Sequence, residues 1–211
     1  MLGAHVGHPE LHELIRRFLF EQLSNEEDVD GLQVDLDLCP KFEDRVFLYH
    51  SAISTFFAPS DLSGIGGMRQ ERIHAVPTWF HGRGRYDTIL LDKDADKDGF
   101  AGLHAARALL FLSFTFAGVT YPCSLIHWFS TVGDRPDDVT GMWKVKPDFR
   151  RDGMPFKTIV RLDCILRGTH LSPVYGNRFL PQGYTFEDTL NDFELFYVNK
   201  FIDHHSHEIL H

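Results

Sequence analysis

The sequence predicts an α+β fold: a helical N-terminal segment, a central small antiparallel β-barrel and a C-terminal helix packed on that barrel. Three patterns lead there. Apolar residues recur at helical spacing near both ends of the chain. Between the ends, short runs alternate apolar and polar side chains and are separated by turn residues. Finally, 19 Phe, 6 Tyr and 3 Trp among 211 residues supply a core of domain size. On these patterns the chain divides into residues 1–82, 83–180 and 181–211, three regions of one compact unit.

In the first region Pro9 suits the first turn of a helix, where its fixed φ fits and its missing N–H is not needed. Leu11, Leu14, Ile15, Phe18, Leu19 and Leu23 follow at helical spacing, with Arg16, Arg17 and Glu21 on the other face. Residues 24–31 are polar and acidic and read as a loop. Residues 34–38 read as a short strand or an extended linker. Val46, Tyr49, His50, Ile53 and Phe57 fit a second helix, although residues 53–57 also suit a strand. Pro59-Ser60-Asp61 ends that element. Gly64, Gly66 and Gly67 make a turn before a third helix over residues 68–75, which Pro77 stops.

The second region predicts strands over residues 86–91, 108–116, 119–129, 142–145, 158–166 and 171–175. Leu110, Leu112, Phe114 and Phe116 share one face, and Leu109, Phe111, Ser113 and Thr115 the other. Ala117-Gly118 offers the tight turn of a hairpin. Pro122 is tolerable only near an edge or a bulge. Six short strands joined by turns imply a strongly bent barrel, by analogy the SH3-like type of bromo-adjacent-homology (BAH) domains. In the third region residues 185–210 predict one helix. Thr185 and Asp188 would form its capping pair, and Leu190, Phe193, Phe196, Tyr197 and Phe201 its apolar stripe.

The formal charge is −9 and the pI about 5.8, the reverse of a chain whose main task is to neutralise nucleic-acid phosphates. Cys39, Cys123 and Cys164 are odd in number and far apart, so neither a disulfide framework nor a zinc knuckle is expected. The first residues lack the charged and long apolar parts of a signal peptide, and no apolar run approaches a membrane span. These features predict an intracellular protein.

Three stretches carry a family resemblance: Tyr121-Pro122-Cys123-Ser124-Leu125-Ile126-His127-Trp128-Phe129, Thr140-Gly141-Met142-Trp143 and His170-Leu171-Ser172-Pro173-Val174-Tyr175-Gly176. Upstream, His50-Ser51-Ala52, Phe57-Ala58-Pro59-Ser60-Asp61-Leu62 and Gly66-Gly67-Met68-Arg69-Gln70-Glu71-Arg72-Ile73 add to it. Downstream, so does the segment from Phe196 to Glu208. Together they resemble the C-terminal, non-catalytic region of Plavaka-type transposases, CACTA-related mobile elements of mushroom-forming fungi. The resemblance implies a nuclear protein and a role in DNA transposition. It also implies an interaction module whose partners are the transposase core, another transposase copy or chromatin. In that family the catalytic carboxylates belong to an RNase H-like core that precedes this region. No catalytic residue therefore transfers to this sequence, and no enzyme activity is expected.

Read for chemistry, Asp94-Ala95-Asp96-Lys97-Asp98-Gly99 has the first half of a calcium loop, but Ala105 stands where a bidentate Glu is required. Asp203-His204-His205-Ser206-His207-Glu208 offers imidazoles on a helix end without the order or the distant fourth ligand of a zinc site. Both alternatives for metal read better as solvated polar segments, and no metal is expected. Cys123 and His127 would stand about 13 Å apart on a strand, too far for a thiolate pair. Gly64-Ile65-Gly66-Gly67 lacks the Lys and Ser/Thr of a phosphate loop, and no cofactor is expected. Arg69, Arg72, Arg83 and Arg85, interleaved with Trp79 and Phe80, form the candidate nucleic-acid patch, an alternative role as a DNA-binding accessory module. Trp128 and Trp143 are candidates to line a peptide groove.

Overall fold

The computed structural model describes residues 7–24, 31–61, 64–94, 96–176, 179–180, 182–185 and 189–211. Its first elements in chain order are α1 (Leu11–Leu23), β1 (Val46–Tyr49), β2 (Ser51–Phe57), β3 (Met68–Val76), β4 (Arg85–Tyr86) and β5 (Thr88–Asp92). The long strands β6 (Leu103–Phe116) and β7 (Val119–Val132) follow, then β8 (Lys144–Pro147), β9 (Lys157–Arg161), β10 (Ile165–Thr169) and β11 (Leu171–Pro173). The chain closes with α2 (Thr189–Asp192), β12 (Phe196–Val198) and α3 (His204–Ile209). The fold is α+β, a nearly closed, barrel-like antiparallel sheet with helices toward both ends.

The β6–β7 hairpin is the spine. Its two-residue turn puts Ala117 and Gly118 at φ of 49° and 82°, the left-handed pair that matches the twist of the flanking strands. β6 pairs first with β5 and then with β1; β7 pairs with β9 and then with β8. The exchange on β6 is made by a bulge at Leu109, where register slips between Ala108 and Leu110. Ahead of it Ala106 and Ala108 face one side; after it Phe111 faces the same side, so the extra residue preserves the face while shifting parity. The expected alternation therefore holds over residues 110–116, but Leu109, at the bulge, packs with the Leu112 and Phe114 cluster and not on the face of Phe111.

Three apolar clusters share this spine. Leu11, Leu14, Ile15, Phe18 and Leu19 of α1 pack on Phe114, Tyr121, Cys123 and Leu125 at the hairpin's turn end. Each such side chain contributes about 1.5–3 kcal/mol when fully buried. The second cluster joins Leu90, Ala105, Phe129, Val145, Phe196 and Val198. The third lies under a small second sheet, β2–β3–β4, and joins Ile73 and Ala75 to Ile89, Ala106, Phe111 and Ile126. On the outer face of α1, Arg16 donates to the carbonyls of Leu36, Cys39 and Pro40, and Arg17 to those of Gly31, Leu32 and Val34. Those bonds seat a segment of two short 3-10 turns against the helix.

The first region is not mainly helical. Residues 46–57 form β1 and β2, and residues 68–75 lie in β3, which pairs with β2 over seven residues. Along β2 the decisive period is two: Ser54 and Phe56 turn inward, while Ile53, Thr55 and Phe57 turn out. β-branched and aromatic side chains on a pleated surface override the weaker helical spacing. The expected single helix over 185–210 is instead α2, β12 and α3. Phe196 and Val198 are fully buried at period two as β12 fills the place between β8 and β11. The expected strand over 158–166 is β9, a 3-10 turn and β10, because the chain leaves β7 there to pair with β5. The loop expected over 24–31 and the capping role of Asp188 fall largely outside the described residues.

Candidate binding cleft

A cleft of about 1040 Å³ opens between the β3–β4 hairpin, the C-terminal ends of β10 and β11, and α2. Five arginines line it, Arg72, Arg83, Arg85, Arg107 and Arg167, against three carboxylates, Glu71, Asp87 and Asp203. On a chain of net charge −9 this is a local reversal of sign.

The hairpin that forms one lip is under backbone strain. Trp79 N–H donates to Arg83 O, and Gly82 N–H donates back to Trp79 O. The two residues between, Phe80 and His81, both have positive φ, 46° and 64°. A left-handed pair of this kind costs roughly 1–2 kcal/mol per non-glycine residue. Its result is to thrust Phe80, 85 % exposed, into solvent beside Trp79, whose ring it meets edge-on at 4.8 Å. Arg85 lies over the Trp79 ring at 4.8 Å and forks onto Asp87 at 2.7 and 3.2 Å. Asp87 also accepts from the His74 backbone N–H. Its charge is thus engaged within the lip.

Opposite the lip lies a buried clasp. Arg167, 4 % exposed, donates from both terminal nitrogens to Asp203 at 3.1 and 2.6 Å and lies 2.9 Å from His205 Nδ1. Its guanidinium sits over the Phe56 ring at 4.6 Å, and His205 stacks on the same ring. Glu71 approaches Arg167 at 3.6 Å and accepts the Gly168 backbone N–H. Burial opposes the Asp203 charge, but Arg167 and the Ser206 N–H outweigh it and hold the carboxyl at about 2. Burial leaves Glu71 above the usual carboxylate range, despite Gly168 and Arg167. Burial and then Arg167 push His205 down, so its imidazole is neutral at physiological pH.

Three of the four arginines expected to bind nucleic acid therefore meet at one cleft: Arg72, Arg83 and Arg85. Arg69 turns elsewhere and pairs with Asp61 at 2.9 Å. Arg72 is exposed and donates to the neutral Ser51 hydroxyl. Arg107 and Arg167 escape a sequence reading that weighs apolar alternation. The signal was present in each case: a lone arginine amid Ala105, Ala106, Ala108 and Leu109, and another after Ile165 and Leu166.

The remaining candidates separate. Trp128 packs with the cluster under the small sheet and donates to Thr158 Oγ1 at 2.7 Å. Trp143 packs with the second cluster beside Phe100. They do not share a groove. Asp94 accepts the Asp96 N–H and pairs with Lys97 at 2.9 Å, an acidic turn closed on itself; Ala95 lies outside the described residues. In α3, His204 meets Glu208, His205 meets Arg167 and His207 lies beside Phe201. Among the described residues no three His, Cys, Asp or Glu side chains gather around a common ion position. Burial raises the Cys123 thiol to about 12, which keeps it protonated and unreactive. His127 Nε2 donates to Asp148 O at 2.8 Å, far along β7 from that thiol.

Compared with protein-family models, curated proteins and solved structures, the chain has no match.

Proposed function

We propose that this chain is a non-catalytic binding module that takes a single nucleic-acid strand into the arginine-lined cleft. The gathering of Arg72, Arg83 and Arg85 with Trp79 and Phe80 on one lip supports it most strongly. Guanidinium groups satisfy phosphates, and an exposed aromatic ring offers any base a stacking face. The left-handed strain that keeps Phe80 exposed is met within the chain by its edge-on contact with Trp79, and a stacked base would add a second partner. The motif resemblance to transposase C-terminal regions agrees with a DNA partner; on that reading the module acts in the nucleus. The SH3-like analogy bears only on architecture, a bent sheet with a binding surface at its mouth.

The test is fluorescence anisotropy with a labelled oligo-dT strand across a salt titration. About three phosphate contacts on a single strand give a log–log slope of roughly −2. Arg72→Ala with Arg83→Ala should abolish most of the binding, and Phe80→Ala should weaken it with little change in slope. No binding at low salt would end the proposal.

A second reading keeps protein partners. Ile53, Phe57 and Met68 are all exposed on one face of β2 and β3, with Phe47 and Tyr49 exposed on the neighbouring β1. That apolar strip suits contact with the transposase core or a chromatin protein. Cross-linking to a separately expressed catalytic core, with and without Phe57→Ser, distinguishes it from the cleft.

A further inference from the structure

The wall of the cleft holds a cation, Arg107, whose partners among the described residues are all neutral. Arg107 lies in one cross-strand row with Thr88 and Thr169, since Arg107 pairs with Thr88 and Thr88 with Thr169 across β6, β5 and β10. Directly paired residues project from the same face of a sheet, so all three side chains face the cleft. Arg107 Nη1 donates to the Asn191 amide oxygen at 2.8 Å, and its guanidinium stands 5.4 Å from the Tyr86 ring. Its Nε is buried and, among the described residues, has no hydrogen-bond partner; neither has Thr169 Oγ1, on the same wall. Burial pulls the arginine below its usual basicity, and among the described residues no carboxylate offsets that. Thr88 spends its own hydroxyl on Thr169 O.

A half-buried cation with no counter-ion among the described residues carries a desolvation cost, and natural sites keep such groups satisfied. Two other arginines of the cleft show the contrast. Arg167 has Asp203 and Glu71; Arg85 has Asp87. The Arg107–Asn191 bond is open to solvent, so an anion can reach Nη1 by displacing one amide oxygen from a four-residue helix. We propose that Arg107 is the anchor for one phosphate group, which displaces Asn191 and supplies the missing counter-charge. Guanidinium forks match phosphate oxygens in two-point geometry, which an amide oxygen cannot reproduce. This inference rests on the reading of the cleft as a nucleic-acid site and deepens it, because the strand's phosphate is the natural source. Free inorganic phosphate has the same chemistry.

The experiment follows the unfolding temperature of the whole chain in inorganic phosphate and in chloride at matched ionic strength, together with oligo-dT anisotropy. Phosphate should stabilise the protein saturably, and Arg107→Gln should weaken its affinity at least about tenfold, the scale of one charge-assisted hydrogen bond. Asn191→Ala, an exposed change that removes the competing acceptor, should strengthen phosphate binding; a merely structural Arg107 would not respond in that direction. Phosphate acting no differently from chloride on the wild-type chain, or equally on wild type and Arg107→Gln, overturns the proposal. If Arg107→Gln fails to fold, the Asn191→Ala comparison decides alone. Oligonucleotide binding that needs Arg72 and Arg83 but ignores Arg107 would refute this subsite and leave the cleft's function standing. Arg107-dependent phosphate binding without oligonucleotide binding would do the reverse.

Discussion

Replacing Arg167 with Met removes the cation of the clasp while retaining most of its volume. Two carboxylates, Asp203 and Glu71, then face the same space with no positive charge between them. Breaking one partner out of a buried pair costs about 3–5 kcal/mol. Here the carboxylates keep 35 % and 28 % of their side-chain surface exposed, so solvent screens part of the loss. The lower end, about 3 kcal/mol, is the expected cost. For a domain of this length that corresponds to a drop of roughly 6–12 °C in unfolding temperature. Urea denaturation gives the same quantity as a lowered midpoint with an unchanged slope. The control is Arg167→Met combined with Glu71→Gln and Asp203→Asn. It removes both orphaned charges, keeps an N-cap acceptor for α3, and should recover more than half of the loss. A single mutant within about 1 kcal/mol of wild type would refute the reasoning. So would a triple mutant no more stable than the single one.

Acid should destabilise the chain in two stages. Between pH 7.5 and 5.5 the unfolded state takes up more protons at these positions than the folded state, because burial lowers the basicity of His205, His104 and His127, so stability declines as pH falls. Below about pH 4 the lowered Asp203 adds its own loss as pH falls toward 2; the raised Glu71 acts in the opposite sense at higher pH, favouring the folded state as it becomes protonated above its ordinary carboxylate range. A urea midpoint that is flat from pH 7.5 to 5.5 would contradict the first stage. At the β6–β7 turn, Ala117→Asn should stabilise by on the order of 0.5–1 kcal/mol, since Asn tolerates the left-handed φ that Ala117 must adopt. An unchanged or lower melting temperature argues against that turn geometry. Cys123 should resist a thiol reagent at pH 8 in the folded protein by ~10³-fold relative to an ordinary thiol, and react at once in denaturant.

The legible part of the fold was the part governed by one neighbour at a time. α1 follows from its own apolar stripe, and the β6–β7 hairpin from alternation around Ala117-Gly118. What misled was spacing that satisfies two periods. Val46, Tyr49, Ile53 and Phe57 lie at helical intervals, yet Ser54 and Phe56 decide the outcome because they alone are buried on β2. Likewise Phe196 and Phe201 suggest a stripe, but β12 is claimed by its neighbours β8 and β11, which the local sequence cannot announce. The cleft was half legible. Arg72, Arg83 and Arg85 lie close in sequence and stay close in space, whereas Arg107 and Arg167 come from strands far away and join them only through sheet registry.

The bulged β6–β7 hairpin also sets how the molecule comes apart. Each of the three apolar clusters takes residues from these two strands, so none can loosen while the hairpin stays whole on both faces. Backbone amides of Ala105, Ala106, Leu112, Cys123, Leu125 and Phe129 should therefore exchange with deuterium only through global opening, at one common free energy. The lip carrying Phe80, tethered by β4's two residues, should exchange orders of magnitude sooner. The protein thus combines a single cooperative unit with a lip free to adapt, and the boundary between them runs along β3.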